Sequence, residues 1–572
     1  MSYTKKRGRS RKRWLAALLV AASWPGLYAQ STSPLDTAPG VNAATGTNVS
    51  SAVAPGVTAA ADGTELFAKE DLQSADWDKS LLPGVTWMTE GGKTFGRLVS
   101  PQPAEQVELY RVIDLPPGVT ALEVSARYRT AGLKAGREPE DTARTILEIL
   151  DKSSKPIRAA PPLIFSDQAA DWTTITERFA LPPNAVYLAV RPCLFRVAAG
   201  TLDLAAFHVV TLGVTDATRL AAQADADAVK KLADQNAILN RELALPPKTL
   251  ELKTSGNKLV TAEGREVWLQ GVNVPNLAVT ADEDQRVLWS IHVALEDWNA
   301  NVIRLPVQDS FWFGRGRGNQ LSNDAQAYRE TVDKAVKLAG AKGAYIVLDL
   351  HRFLTPDASC VAFWQDAAAR YKNNPAVLFD IFNEPHDTSW DIWQKGGLVN
   401  VKEKGGVSRP VQGVGMQGLV DAVRGTGAKN LIVAGGLGYA FDLTGVVNGY
   451  ALDDKGGNGI MYATHFYNWA KGWESHFMAV AAKYPLLVGE CGADIVKMNF
   501  VPAKDQEDPY TWSPDAIGFI QKNHLNWTAW CLHTRANPNL LLDWDYYTPT
   551  PYWGAFVKDA LHGTIYEMKR ER

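Results

Sequence analysis

Two glutamates are the residues of this sequence best placed to do chemistry. Glu384 lies in Phe382-Asn-Glu-Pro385 and Glu490 in Gly489-Glu490. A carboxyl pair can break a glycosidic bond: one, protonated, gives its proton to the leaving oxygen, and the other, ionised, attacks the anomeric carbon or activates water. Both roles at one pH require unlike surroundings. Arg304 can put positive charge beside one carboxylate and keep it ionised. Asn383 can bond a sugar 2-hydroxyl, a contact that strengthens in the transition state. His465 and Tyr467 are two apart in an extended run and so share a face. Tyr467 is suited to holding the nucleophile and His465 to orienting the acid. Trp530 offers a flat apolar floor for the reacting ring. The nine His lack a spacing such as HExxH and the four Cys lack a CxxC pair, so no metal or cofactor is expected.

These groups end short apolar runs. The runs are Val267–Asn273, Asn301–Pro306, Ala344–His351, Ala376–Glu384, Asn430–Gly435, Ile460–Tyr467, Leu486–Glu490 and Trp527–His533. Helical patterns separate most of them, such as Ser322–Ala341 and Val411–Arg424. Eight strand–helix repeats in residues 248–568 predict an α/β fold, a (β/α)₈ barrel, whose active site gathers where strands end. Leu250–Glu266 reads as a hairpin under the barrel floor. His351 joins the strand-end set with Asn273 and His533. Asp349 and Asp380 fall inside strands and read as hydrogen-bonded barrel interior. Alternation turns Cys491 and Cys531 away from the barrel centre as buried thiols; a disulfide stays open. Gly314-Arg-Gly-Arg-Gly318 lacks a phosphate-loop spacing and reads as a loop beside the cleft.

The other segments are of different kinds. Lys5–Arg13 carries seven positive charges, followed by the apolar run Trp14–Ala22 and then Ala29. That is the pattern of a signal peptide over 1–29, and the run is too short to span a bilayer, which leaves no stable membrane span in the mature chain. Export from a bacterial cytoplasm, to the periplasm or beyond, is expected. Without those seven charges the balance is 52 − 62 = −10, which argues against nucleic acid as a partner. Residues 30–63, rich in Ser, Thr, Ala, Pro and Gly, read as a flexible linker. Residues 64–213 carry about eight alternating runs with turn signals at Pro116-Pro117-Gly118 and Pro182-Pro183-Asn184, the mark of an all-β sandwich or jelly roll. In it Trp77, Trp87, Trp172 and Tyr187 are either a sugar platform or core. Residues 214–247 read as a helical connector, capped at Thr215 or Asp216 and stopped by Pro246-Pro247.

With these motifs in hand, the barrel resembles glycoside hydrolase family 5, cellulase-like retaining glycanases. The motifs are Val302-Ile-Arg-Leu-Pro306, Leu348-Asp-Leu-His351, Phe382-Asn-Glu-Pro385, His465-Phe-Tyr467, Gly489-Glu490 and Trp530. The resemblance implies that Arg304, His351, Asn383, Glu384, His465, Tyr467, Glu490 and Trp530 form the site. It implies a double displacement with Glu384 as acid/base and Glu490 as nucleophile. The sandwich resembles the modules that accompany secreted glycosidases, many of which bind carbohydrate. The partner expected is a β-linked polysaccharide or oligosaccharide, foremost a β-1,4-glucan cut in the endo mode. β-Mannan, xyloglucan, xylan or β-1,3-glucan are the alternatives, and a non-catalytic carbohydrate-binding protein is the non-enzyme one. The sequence departs from many cellulases of the family in following Asn273 with Val274-Pro275. Trp390 and Trp393, after Asn-Glu-Pro, are candidate sugar contacts or loop packing. Trp469 is a weaker candidate, as are Trp312, Trp473 and Trp544.

Overall fold

A computed structural model describes residues 62–572, except 81–83, 101–105, 137–139, 155, 280–283, 317–322, 403–407 and 499. The expected signal peptide and all but the end of the expected linker lie outside the described residues. The described chain divides into two compact units. One is built of Gln235–Leu542 and Pro549–Arg572, and the other of the residues up to Asp234 together with Asp543–Thr548.

The N-terminal unit holds two antiparallel sheets. One has the order Val85–Glu90, Lys93–Val99, Ala199–Thr211, Ala121–Lys134, Thr173–Ala180, with Glu65–Lys69 also beside Ala199–Thr211. The other runs Lys79–Ser80, Val107–Asp114, Tyr187–Leu194, Ala143–Leu150, Pro156–Ile164. Alternation decides what each strand buries. Leu122, Val124, Ala126 and Tyr128 enter one apolar cluster with Leu109, Leu147 and Val190 of the second sheet. Eleven strands appear among the described residues where eight were expected; the surplus includes short edge pieces with little apolar signal. Trp77 belongs to the core, edge-on to Phe67 and Phe207, so it is no sugar platform. Trp87 packs against the same cluster, and Tyr187 is half-buried. Trp172 is half-buried, with its edge on Phe95 at 5.3 Å and Arg129 over its ring at 4.5 Å. A 30-residue helix, Val214–Leu243, follows. It starts before Thr215, so neither expected cap serves; Asp216 sits in its first turn, where the helix dipole favours an acid.

The other unit is a closed barrel of eight parallel strands. Strands 1 to 8 are Gln270–Asn273, Val302–Val307, Tyr345–Leu350, Val377–Asp380, Ile432–Gly435, Ile460–Tyr467, Leu486–Gly492 and Asn526–Ala529. Strands 2 and 3 are buried along their whole length, which is why they read as continuous apolar runs rather than alternating ones. The hairpin Leu252–Ser255/Lys258–Thr261 closes the floor, with Leu252 and Leu259 packed on Val302, Tyr345 and Leu431 near the strand beginnings.

Three boundaries near the site depart from the sequence reading. The expected helix from Val411 begins at Gly415, because Ser408–Gly413 pairs with Gly397–Lys402 as a hairpin. Gly415 adopts φ +72, and a Cβ there would lie 2.3 Å from the Gly396 nitrogen. Strands 4 and 8 stop at Asp380 and Ala529, so the residues that follow are placed by loops.

Candidate active site

The site begins with an irregularity in strand 7. Thr464 pairs with Val488 but His465 with Glu490, so Gly489 is skipped in the register. The Gly489 carbonyl accepts from side chains of the barrel interior instead: Asn273 Nδ2 donates to it at 2.9 Å and Thr528 Oγ1 at 2.6 Å. Only glycine fits, since a Cβ would stand 2.8 Å from His465 Nε2. The shift brings Glu490 opposite His465 at the barrel mouth.

Arg304, from the middle of strand 2, is fully buried beneath the two glutamates. It donates to Glu490 Oε1 at 2.8 Å, Asn273 Oδ1 at 3.0 Å, Asn383 Oδ1 at 2.7 Å and Asp380 Oδ2 at 3.0 Å, and it pairs with Asp349 at 3.1 Å. Burial opposes its charge, but Asp349, Asp380 and Glu490 outweigh that and raise its pKa. Tyr467 donates its hydroxyl to Glu490 Oε2 at 2.5 Å. Both oxygens of Glu490 therefore face donors, one of them cationic, the setting of a carboxylate anion.

Glu384 is held differently. It stands beyond strand 4 in a two-residue parallel pair with Phe353–Leu354. Its backbone N–H donates to the Arg352 carbonyl at 3.1 Å, and Oε1 lies 3.0 Å from His465 Nδ1. Burial, reinforced by the charge of Glu490, pushes its pKa well above the usual carboxylate range. His465 is driven the other way, first by burial and then by Arg304, and is neutral. Oxygens of Glu384 and Glu490 and a nitrogen of His465 all lie within 4.8 Å of one another. This trio is compact enough for a small cation, yet Nδ1 of His465 already faces Glu384 and Arg304 already faces Glu490.

The remaining expected residues fall on both sides of the line. His351 Nδ1 lies 2.7 Å from Asp349 Oδ2, and its ring stacks on Trp530 at 5.6 Å and 8°. Burial lowers its pKa to about 4. Asn383 is buried, and its Nδ2 has no protein partner. Trp469 stacks on Tyr467 at 4.9 Å and 11° and stays half-buried, so it extends the Glu490 side of the mouth. Trp393 is not a sugar contact: it is 1% exposed and its indole donates to the Gly435 carbonyl. Trp390 packs on it at 4.9 Å and beside Tyr450. Trp312 and Trp473 are fully buried, and Trp544 is half-buried, edge-on to Tyr547. His533 accepts from the Arg535 and Ala536 amides and shapes a loop. Cys491 and Cys531 are free thiols. Cys531 clusters with Trp530 and Tyr467 rather than turning away, because strand alternation no longer governs beyond Ala529.

Sequence reasoning missed Phe353 and Arg352. Phe353 is 39% exposed at the mouth, edge-on to His351 at 5.4 Å. Arg352 donates to Asp309 at 2.8 Å and to Asp357 at 3.2 Å, anchoring the loop that pairs with Glu384. Their place directly after His351 was the available signal.

A closed parallel barrel with a carboxyl pair at its C-terminal mouth defines a barrel of the glycoside hydrolase class. Residues 260–536, which make up most of the barrel unit, match the family model of cellulase (glycosyl hydrolase family 5). A cellulase of Thermoanaerobacterium sp. is 25% identical over 261 residues, 43% of this chain and 60% of that one. An endoglucanase of Paenibacillus polymyxa is 25% identical over 350 residues, 51% of this chain and 82% of that one. The chain thus spans less than two thirds of the first relative's own length. A solved β-glucanase of Saccharophagus degradans is similar at 22% identity and a TM-score of 0.45, over 55% of this chain and 94% of that one.

Proposed function

We propose that the protein is an exported retaining endo-β-glycanase that hydrolyses β-1,4-glucan. The observation that carries this reading is the carboxyl pair in opposite settings. Oxygens of Glu384 and Glu490 approach within 4.8 Å; a retaining pair stands ~5–5.5 Å apart, an inverting pair ~6.5–9.5 Å. The substrate is supported by the relatives named cellulase and endoglucanase. Export is supported by the basic and apolar pattern of residues 1–29.

In the first step a Glu490 oxygen bonds to the anomeric carbon, the bond to the leaving oxygen breaks, and Glu384 gives that oxygen its proton. In the second, Glu384 takes a proton from water, whose oxygen bonds to the anomeric carbon as the Glu490 ester breaks. Arg304 and Tyr467 orient and stabilise the departing and returning Glu490 carboxylate. Asn383 keeps one amide donor for the 2-hydroxyl of the reacting sugar. Trp530, braced by His351, floors that ring. The sandwich over 64–213, joined through the helical segment 214–247, serves as an accessory carbohydrate-binding module to the barrel of 248–568.

Reducing-end release by the purified protein on carboxymethylcellulose, mixed-linkage β-glucan, glucomannan, galactomannan, xyloglucan, xylan and laminarin tests the reading. Glu490→Ala is the blank. Release from the first two that vanishes in the blank is the expected result. Release from another polymer alone keeps the mechanism and overturns the substrate; silence on all of them overturns the hydrolase reading. Deleting the sandwich should lower retention on insoluble glucan while turnover of small substrates persists.

A further inference from the structure

Beneath the two glutamates lie two more carboxyl groups that the proposed reaction does not use. Asp349 and Asp380 are register partners on strands 3 and 4, and adjacent strands stand ~4.8 Å apart. Both are within 1% of full burial. Each turns Oδ2 to Arg304, at 3.1 and 3.0 Å, and each leaves Oδ1 buried with no protein partner.

The charges facing this pair do not balance if both aspartates are ionised. Among the described residues Arg304 on strand 2 is the one buried cation in contact with them, and it also pairs with Glu490 on strand 7. His351, on Asp349's own strand, and His465 on strand 6 have lowered pKa values and are neutral. Glu384 lies beyond strand 4, and Tyr467, also on strand 6, brings no positive charge. One cation would face three carboxylates, a net charge of −2 at a site closed to water. A buried charge without a partner costs several kcal/mol and is normally removed by taking up a proton.

We propose that Asp349 and Asp380 hold one proton between them, which leaves the charge of Arg304 available to Glu490; this rests on the catalytic reading above. The two are positioning residues, acting on the nucleophile through Arg304. Burial raises both pKa values, that of Asp349 to about 7, and at Asp380 the charges of Asp349 and Glu490 add to the rise, in line with the charge count. Asp349 further holds His351 through Nδ1, so the pair supports the floor of the site as well as its cation.

The test is infrared spectroscopy at neutral pH on protein carrying ¹³C-labelled aspartate carboxyls, compared with labelled Asp380→Asn. The label separates aspartate from Glu384. The expected result is a protonated-aspartate carbonyl band in the unsubstituted protein that is missing from the variant. Equal band intensity in the two overturns the proposal. Should Asp380→Asn fail to fold, Asp349→Asn is read the same way. The infrared result does not depend on turnover, so failure of the catalytic reading would show separately.

Discussion

Glu490 and Glu384 stand at one barrel mouth, yet the chain holds them by opposite means. Glu490 is inside a seven-residue strand that is buried throughout, and Arg304 and Tyr467 engage both its oxygens. Glu384 stands in a loop, its side chain 12% exposed, with His465 as its neighbour. Four non-glycine residues with positive φ surround it: Leu354 (77), Asp387 (53), Tyr439 (62) and Ala440 (59). Leu354 accepts from the His386 amide, Tyr439 donates to the Pro385 carbonyl, and Ala440 accepts from the His465 amide. Such backbone costs ~1–3 kcal/mol per residue and persists where the surroundings over-determine it. A regular strand with two donors, one of them cationic, suits a group that must stay an anion until it bonds. Burial with a single polar neighbour suits a group that must give up a proton and take it back.

The sharpest way to break this contrast is to remove the anion. Glu490→Ala should lower turnover by at least ~10³-fold with folding intact, since the covalent step is lost. Azide should restore activity and give a product of inverted anomeric configuration. Wild-type rates in this variant, or rescue with retained configuration, would end its assignment as nucleophile.

Removing the acid should depend on the leaving group. Glu384→Ala should cost ~10²–10⁴-fold on cellooligosaccharides and far less in the bond-breaking step of activated aryl glycosides. Equal losses on both would mean that Glu384 is not the acid. The pH dependence has a definite sign. Burial and the charge of Glu490 raise the pKa of Glu384, so the acid stays protonated above the usual glutamate range and activity falls as pH rises through that raised value. In Glu490→Gln the charge is gone, and the titration of Glu384, followed by carboxyl NMR, should move to lower pH. No movement would separate the two glutamates electrostatically.

Tyr467→Phe removes one donor from Glu490 and leaves Arg304 in place. A hydrogen bond to a charged group contributes ~1.5–3 kcal/mol, so kcat/KM should fall about 10- to 100-fold. An unchanged rate would mean that Arg304 alone holds the nucleophile.

The same contrast explains what could be read from the sequence. On the Glu490 side, strand periodicity carried the argument: His465 and Tyr467 share a face because their strand runs unbroken from Ile460 to Tyr467. The barrel was legible for the same reason, as its buried strands are continuous apolar runs. On the Glu384 side the chain leaves regular structure at Asp380, and no period reports where Phe382–Glu384 turn. The pairing of Glu384 with Phe353 joins residues 31 apart through backbone atoms alone, so side-chain types carry no sign of it. Trp393 was ambiguous because a tryptophan after a strand serves a sugar or a loop core equally well, and only its bond to Gly435 decides between them. The skipped Gly489 was hidden in an apolar strand where a glycine has no distinctive neighbours.

The smallest expected effect concerns Phe353. In a parallel pair, residues in register project to the same side of the sheet, so Phe353 and Glu384 both face the mouth. The ring is 39% exposed and continues the row of Trp530 and His351. A glucan unit bordering the reacting ring would cover that exposed aromatic surface, a gain of about 1 kcal/mol at ~25 cal/mol per Å². Phe353→Ala should therefore raise KM for cellooligosaccharides about fivefold, with kcat nearly unchanged, because the contact is the same in the ground and transition states. Phe353→Trp should restore KM. A fall in kcat that Trp does not rescue would instead assign Phe353 to holding the Glu384 backbone, and the acid would then depend on this loop for its position as well as for its cover.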